Sequence, residues 1–520
     1  MYASREDIIR MTPQWKGERM ADGRPKVPQD VLERMRRLTM EEVWGYAWSQ
    51  GYEYQVVTDL KYTADPSQRL VGRAVTCTCV PFRQDLHEVC SELFKEAGYN
   101  LVSRGGYNKA LVQTLVEDDV IVIDFFHWTK QGEWKFDPAC WPNPEAMIRE
   151  LNQMGTKLMV SVWPTVDIAS ENHAELAQMG GLIQPDHGNL YGTFMGYTTY
   201  FDSTHPQARE LVWNRSKQNY FDKGVDLFWL DEAEPETAAN DMENVRFHIG
   251  PGAQVANIYP FFYTKAYYDG MTQAGMDKVI NLVRCAWAGS QRYGALVWSG
   301  DIHSSFASLR NQLAAGLNMG LAGIPWWTCD IGGFLAGRTD DPKFHELFIR
   351  WFELGAFLPV FRLHGERLPH WPNESMVYKA PNGDLQFGTG ADNEIWSYGE
   401  KNLEICKKYI FLRDQLRPYI KKTMEQAHEQ GAPVMRPLFY AYPQDAKAWE
   451  VEDSYLFGDD ILVAPVMEEG AVQRPVYLPQ GETWREVATG KRFEGGQWVQ
   501  AEAPLEVIPL FVREGSQVEL

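Results

Sequence analysis

From residue 119 onward the chain alternates short apolar runs with segments of helical spacing, and this rhythm constrains its fold more than any other feature. Val120–Asp124 is a run of β-branched residues closing on an acid, and "NPEAMIRELNQMG" has helical spacing and ends in Gly155. "KLMVSVWPT" is again a strand, "HPQARELVWNRSKQNYFDKG" a helix ending in Gly224, and "VDLFWLDE" a strand. The same order continues through "KVINLVRCAW", "ALVWSGD", the helix "SFASLRNQLAAGLNMG", the strand "LAGIPWWTCD", the helix "DPKFHELFIRWFELG" and the strand "AFLPVFRLHG". Short, continuously apolar strands parted by helices indicate a parallel sheet covered on both faces. At this length an eight-stranded (β/α) barrel is expected. Seven such strands fall between 119 and about 364, one short of a full barrel. A misplaced boundary, an absent first strand, or a strand supplied by the preceding segment would each account for the difference.

The flanks read differently. Before 119, "VPQDVLERMRRLTMEEVWGYAW" is a helix, "LVGRAVTCTCV" a strand and "DLHEVCSELFKEAG" a helix, which makes an α/β segment. From 431, "SYLFGDDILVAPV", "QRPVYLPQG", "WREVATGKRF" and "LEVIPLFVREG" are strands parted by Gly and Pro turns, the pattern of a small antiparallel β domain. The expected organisation is therefore 1–118, 119–430 and 431–520, within the α/β class.

Composition narrows the partners. A formal charge of −20 would repel phosphates, which argues against nucleic acid or an anionic membrane as the main partner. No apolar run approaches the roughly 18 residues of a membrane span, and the opening "MYASREDIIRMTPQWKGERM" has no apolar signal region. The seven cysteines form neither a CxxC pair nor a Cys/His cluster, so buried free thiols in a reducing compartment are expected. The expectation is a soluble, cytoplasmic protein without metal or cofactor, with homo-oligomerisation left open.

Barrel enzymes carry their chemistry at the C-terminal ends of strands. Here Asp124, Asp231, Asp301 and Asp330 all stand at such ends, Asp231 is followed by Glu232, Glu234 and Glu236, and Arg362 and His364 close the last strand. One acid at a strand end is ordinarily a solvated loop residue. Four on four ends, three of them beside Trp, point to chemistry. Two carboxylates facing one pocket can divide glycoside cleavage, one attacking the anomeric carbon and the other, kept protonated by burial and by its neighbour's charge, giving a proton to the leaving oxygen. Metal hydrolysis would want more His near these acids than His127, His303 and His364, and no P-loop or GxGxxG serves a phosphate. Trp163, Trp229, Trp287 and Trp326 suit sugar-facing walls and core packing equally.

At these residues the sequence resembles glycoside hydrolase family 31, the retaining α-glycosidases, over about 119–520. "FWLDEAEPE" resembles the family's Trp-x-Asp-x-x-Glu nucleophile motif, which falls on Trp229, Asp231 and Glu234. The resemblance implies Asp231 as nucleophile and Glu234 as a residue holding the site. "RCAWAGSQRYGALVWSGD" resembles the segment leading to the acid/base, implying Asp301 in that role and Arg284 as a substrate or carboxylate contact. "WWTCDIGGF", "FRLHG" and "VIVIDFFHW" resemble sugar-binding segments, implying hydroxyl contacts by Asp330, Arg362, His364 and Asp124. The implied substrate is an oligosaccharide or small α-glycoside. The "FWLDEAEPE" form is similar to α-xylosidase-like members, with α-glucosidase as the alternative.

Family members carry a β-sandwich and a first barrel strand ahead of this point. Residues 1 to about 125 resemble instead the front of the regulator of ribonuclease activity A family, which includes hydroxy-oxoacid aldolases. "TPQWKGERMADGRPKVPQDVLERM", "LVGRAVT" and "LVEDDVIVIDFF" carry that resemblance. The part of that family holding its Arg-Asp pair and metal has no match here, so neither aldolase activity nor a metal is implied. Three readings are open at the sequence level: an α-glycosidase with an unusually completed barrel, a hybrid chain that at most binds sugar, and an aldolase-like module with a glycosidase appendage.

Overall fold

The computed structural model describes residues 5, 9, 15–28, 30, 31, 112–114, 120–188, 196–235, 242–369, 377–379, 385–387 and 390–520. The chain divides into two compact units, Met1–Val102 and Ser103–Leu520. In the first, a bridge between Arg19 and Pro25 closes a turn, held by the Met20 N–H on the Arg24 carbonyl at 2.8 Å. The helices and strand expected within 27–98 lie largely outside the described residues, as does Glu236.

The second unit is built on a seven-stranded sheet: β1 (Val112–Thr114), β2 (Val120–Ile123), β3 (Lys157–Val162), β4 (Leu227–Leu230), β5 (Asn281–Val283), β6 (Ala295–Trp298) and β7 (Trp327–Thr328), neighbours in that order. Strands β2 to β7 run parallel. The place beside β2 is taken by β1, which runs antiparallel and pairs Val112 with Ile123. The strand missing from the sequence count is thus replaced, at this edge, by a partner of opposite direction. The expected last strand is extended chain without a ladder of its own. After a turn, Val360 donates its N–H to the Trp327 carbonyl at 3.4 Å and accepts from the Thr328 hydroxyl at 2.9 Å.

Side-chain alternation sorts the sheet into two faces. Val122, Met159, Trp229, Leu282, Leu296 and Trp298 form one cluster on the inner face, joined by Trp326 and Val360. Ile123, Leu158, Val160, Val162, Phe228, Leu230, Val283 and Val297 face the other way and pack in the main core with the helices. Those helices are α1 (Pro144–Gln153), α2 (Pro206–Asn219), α3 (Tyr259–Gln273), α4 (Phe306–Leu321) and α5 (Pro342–Gly355). Asn143, Ser305 and Asp341 cap three of them by accepting backbone N–H groups, and Pro144 and Pro342 follow as first residues, where a missing N–H costs nothing. Helix α3 escapes a sequence reading because its aromatic residues are poor helix formers. Its tyrosines are held by tertiary bonds, Tyr263 to the Val162 carbonyl at 3.0 Å and Tyr259 to that of Phe201 at 2.8 Å.

Helices α6 (Glu400–Gln415) and α7 (Arg417–Gln430) lead into the C-terminal domain. There β8 (Met435–Pro437), β9 (Tyr455–Phe457), β10 (Ile461–Val463), β12 (Thr483–Glu486), β13 (Arg492–Glu494) and β15 (Leu510–Arg513) form an antiparallel sheet in the order β8-β9-β10-β15-β12-β13. β11 (Gln473–Leu478) and β14 (Gln497–Glu502) pair as a separate antiparallel ribbon in the same domain. Arg350 of α5 ties this domain to the barrel. It is buried, pairs with Glu353 at 3.2 Å and donates to the carbonyls of Ala471, Ala503, Pro504 and Val507. Of the described thiols Cys329 and Cys406 are buried as expected and Cys285 is half-buried, whereas Cys140 is exposed because it lies in a surface turn at 138–140. Among the described residues no helix is long and apolar enough to cross a membrane.

Candidate active site

The inner face continues past the strand ends, and its parity builds the site. Asp124 follows Val122 by two residues, Asp231 follows Trp229 by two, Arg284 follows Leu282 by two, Trp163 follows Met159 by four, and Arg362 and His364 follow Val360 by two and four. Asp330 keeps the phase of Trp326. Each is therefore carried to the mouth of the sheet on the side its strand turns inward. Asp301 is out of phase, three residues after Trp298, and reaches the mouth through a turn at Gly300, whose φ of 73° lies in the left-handed region.

Asp231 is buried and accepts the Trp163 indole N–H on Oδ2 at 3.1 Å. Burial raises its pKa; Arg284, the Glu232 backbone N–H and Trp163 pull it back. Arg284 is the hub of the site. Its guanidinium meets Glu232 at 2.8 Å, Glu234 at 3.0 Å, Asp231 at 3.7 Å and Asp301 at 3.9 Å. Burial alone would lower its pKa, but the four carboxylates more than offset this and hold it well above the ordinary value. Since one planar fork reaches both, Asp231 and Asp301 lie within about 10 Å of each other. Asp301 departs from expectation in one respect: its side chain is 40% exposed, because the Gly300 turn sets it on the rim rather than in the wall.

A second polar cluster lies deeper. Arg362 pairs with Asp330, and its guanidinium sits 4.8 Å over the ring of Trp229 and 5.6 Å over that of Trp298. Burial pushes Asp330 up to about 7, against the pull of Arg362. His364 is stacked on Phe334 and edge-on to Trp229; burial, reinforced by Arg362 and Arg367, pushes its pKa well down, so it is neutral near pH 7. Asp124 is buried and raised well above its ordinary pKa by desolvation and by the charge of Asp231. Its carbonyl bonds His127, which in turn bonds Tyr220.

The structure thus gathers Asp124, Trp163, Trp229, Asp231, Glu234, Arg284, Asp301, Asp330, Arg362 and His364 at one mouth. Two others stand apart from this group. Trp287 is 45% exposed, and Trp326 packs in the inner-face core. Sequence reasoning left Glu232, Tyr200, Trp128 and Trp298 without roles. The parity of "ALVW" carries the signal for Trp298; the left-handed turn that directs Glu232 has none.

One feature distinguishes this mouth from an ordinary core. Buried polar groups nearly always find partners. Here Trp128 Nε1, Trp229 Nε1, Trp298 Nε1, Asp231 Oδ1, Asp330 Oδ2, Arg362 Nε and Nη2, and His364 Nδ1 are buried without a hydrogen-bond partner. Donors and acceptors are interleaved, which suits a ligand rich in hydroxyl groups. Among the described residues no group of three or more His, Cys, Asp or Glu is placed to hold a metal ion.

A parallel (β/α) sheet with paired carboxylates at its strand ends, followed by an antiparallel β domain, defines a barrel protein of the glycoside hydrolase class. The TIM-barrel domain of glycosyl hydrolases family 31 matches residues 110–423, and the C-terminal domain of that family matches 431–518. The chain belongs to glycosyl hydrolase family 31.

An uncharacterized family 31 glucosidase of Pseudescherichia vulneris is 60% identical over 253 residues, covering 48% of this chain and 47% of its own. An alpha-xylosidase of Saccharolobus solfataricus is 35% identical over 409 residues, covering 77% of this chain and 51% of its own. Among solved structures, the alpha-xylosidase from a soil metagenome complexed with xylose superposes with a TM-score of 0.75 at 52% identity, over 84% of this chain and 61% of that one. The chain spans about half the length of the curated relatives it matches.

Proposed function

We propose that the chain is a retaining α-glycosidase that releases a terminal α-linked sugar, xylose before glucose, by double displacement. The observation that carries this reading is the ring of buried, unpartnered donors and acceptors around Asp231. Its placement at the strand ends beside a second carboxylate supports cleavage as well as binding. The alpha-xylosidases among the relatives support xylose.

In the first step Asp231 attacks the anomeric carbon, the glycosidic C–O bond breaks, and the Asp301 carboxyl gives its proton to the leaving oxygen. In the second, water attacks the same carbon, Asp301 takes a proton from it, and the ester to Asp231 breaks, so the anomeric configuration is retained. Arg284 keeps Asp231 ionised, Glu234 anchors Arg284, and Asp124, Trp163, Trp229, Asp330, Arg362 and His364 hold the sugar. A sugar seated between the carboxyls covers the exposed side of Asp301. Trp287 and Trp326 fall to the outer and inner margins of this subsite.

For the remainder we propose the boundaries 1–118, 119–430 and 431–520. Residues 1 to about 125 are read as resembling the front of the regulator of ribonuclease activity A family, without aldolase chemistry. The test is hydrolysis of 4-nitrophenyl α-xyloside and α-glucoside. Release of 4-nitrophenol that falls by at least about a thousandfold in Asp231→Ala is expected. A wild-type protein that cleaves neither glycoside and binds no xylose overturns the reading.

A further inference from the structure

Three acids share the turn after β4, and Glu232 is the one without a role in the proposed reaction. It sits at φ 51°, a left-handed conformation that L side chains avoid and that persists where the surroundings enforce it. That turn directs its carboxylate to Arg284, where Oε1 meets Nη1 at 2.8 Å, while Oε2 accepts the Tyr200 hydroxyl at 3.4 Å. Glu234 occupies Nε of the same guanidinium at 3.0 Å. Held by these two acids, the fork stops 3.7 Å from Asp231 Oδ1 and 3.9 Å from Asp301 Oδ2. Both distances share the positive charge yet exceed a hydrogen bond. Asp231 Oδ1 therefore remains without a hydrogen-bond partner, as an attacking oxygen requires.

We infer that Glu232 is a positioning residue that holds Arg284 back from Asp231, so that the arginine serves the nucleophile and the acid/base as a common counter-charge without blocking the attacking oxygen. This rests on the proposed retaining mechanism. Removing the Glu232 charge has two consequences of the same sign. The guanidinium moves in to bond Oδ1 directly, and one negative charge leaves the neighbourhood; both make Asp231 easier to ionise. Among the described residues the other titratable and charged groups facing this pair, Glu234, Asp301, Asp124, Arg362, Cys285 and Tyr263, are unchanged by the substitution.

The test is the pH dependence of 4-nitrophenyl α-xyloside hydrolysis by wild type, Glu232→Gln and Glu232→Gly, with folding checked by near-ultraviolet circular dichroism. Glu232→Gln is expected to lower kcat by at least about tenfold while KM changes by less than about threefold. Its acid limb moves to lower pH by about 0.5–1 unit. Glu232→Gly accepts the left-handed turn without strain and should show the same shift. If either variant fails to fold, Tyr200→Phe, which frees Glu232 by one hydrogen bond, should move the limb in the same direction by less. A limb that stays in place, whether activity is kept or falls uniformly at every pH, overturns the inference, as does a wild-type profile in Glu232→Gly. A wild type inactive on every α-glycoside defeats the parent mechanism and this inference with it; an active wild type separates the two.

Discussion

The hydrogen bond from Trp163 to Asp231 offers a direct check on how the site sets its nucleophile. Trp163→Phe keeps an aromatic ring against Phe125, whose centroid lies 4.9 Å away, and removes the indole N–H that reaches Oδ2 at 3.1 Å. A hydrogen bond to a buried charged group is worth about 1.5–3 kcal/mol. Asp231 is 7% exposed, so water compensates little of this. At about 1.4 kcal/mol per unit, the pKa of Asp231 rises by about one to two units. The nucleophile must be ionised to attack, so activity lost on acidification is lost earlier: the acid limb of kcat/KM for 4-nitrophenyl α-xyloside moves to higher pH by that amount. Above the limb the variant should approach wild type, less a modest loss from the smaller ring. This direction is opposite to that expected for Glu232→Gln, so the two variants together bracket the electrostatics of one carboxylate. An unmoved limb with activity reduced equally at all pH values would show that the indole acts as a wall alone.

Asp301→Ala should lose about 10²–10⁴ in rate on glycosides with poor leaving groups and far less on 2,4-dinitrophenyl α-xyloside, which needs little protonation; equal losses on both would remove Asp301 from the acid role. Arg350→Met strips the counter-charge from buried Glu353 and the donor from four carbonyls at once, and should destabilise the protein by about 3–5 kcal/mol in urea or thermal unfolding. A loss below about 1 kcal/mol would mean that the domain contact does not depend on this arginine.

The barrel strands are legible in the sequence because each is a short run apolar on both faces, which only a covered parallel sheet demands. The site acids are legible for the same reason, as they stand where those runs stop. Alternation carries more than position. Counting by twos from Val122, Trp229, Leu282 and Val360 reaches Asp124, Asp231, Arg284, Arg362 and His364. Asp301 breaks that count because Gly300 turns the chain, and its exposure is therefore invisible to a pattern of apolar residues. The role of Glu232 is hidden for a related reason: its carboxylate is held by partners 32 and 52 residues away, Tyr200 and Arg284. The helix Tyr259–Gln273 is hidden because tertiary bonds override its low propensity, and the antiparallel sense of β1 because a three-residue strand has no directional signature.

That antiparallel start bears on the order in which the sheet assembles. In a barrel begun by a parallel pair, the first ladder waits for a crossover through a helix. Here β1 and β2 are separated by only five residues in sequence, and bringing together segments so close in the chain costs little entropy and takes place within microseconds. The strand bearing Asp124 therefore has a local template before any distant strand arrives. The remaining parallel pairings, each with a long connection, can add to a ladder already in register. The same antiparallel strand occupies the hydrogen-bonding edge of β2 that a nascent parallel sheet would otherwise offer to other chains. In kinetic terms, the edge of β2 is covered at the first step, and β1 becomes the outer strand of the sheet in its place.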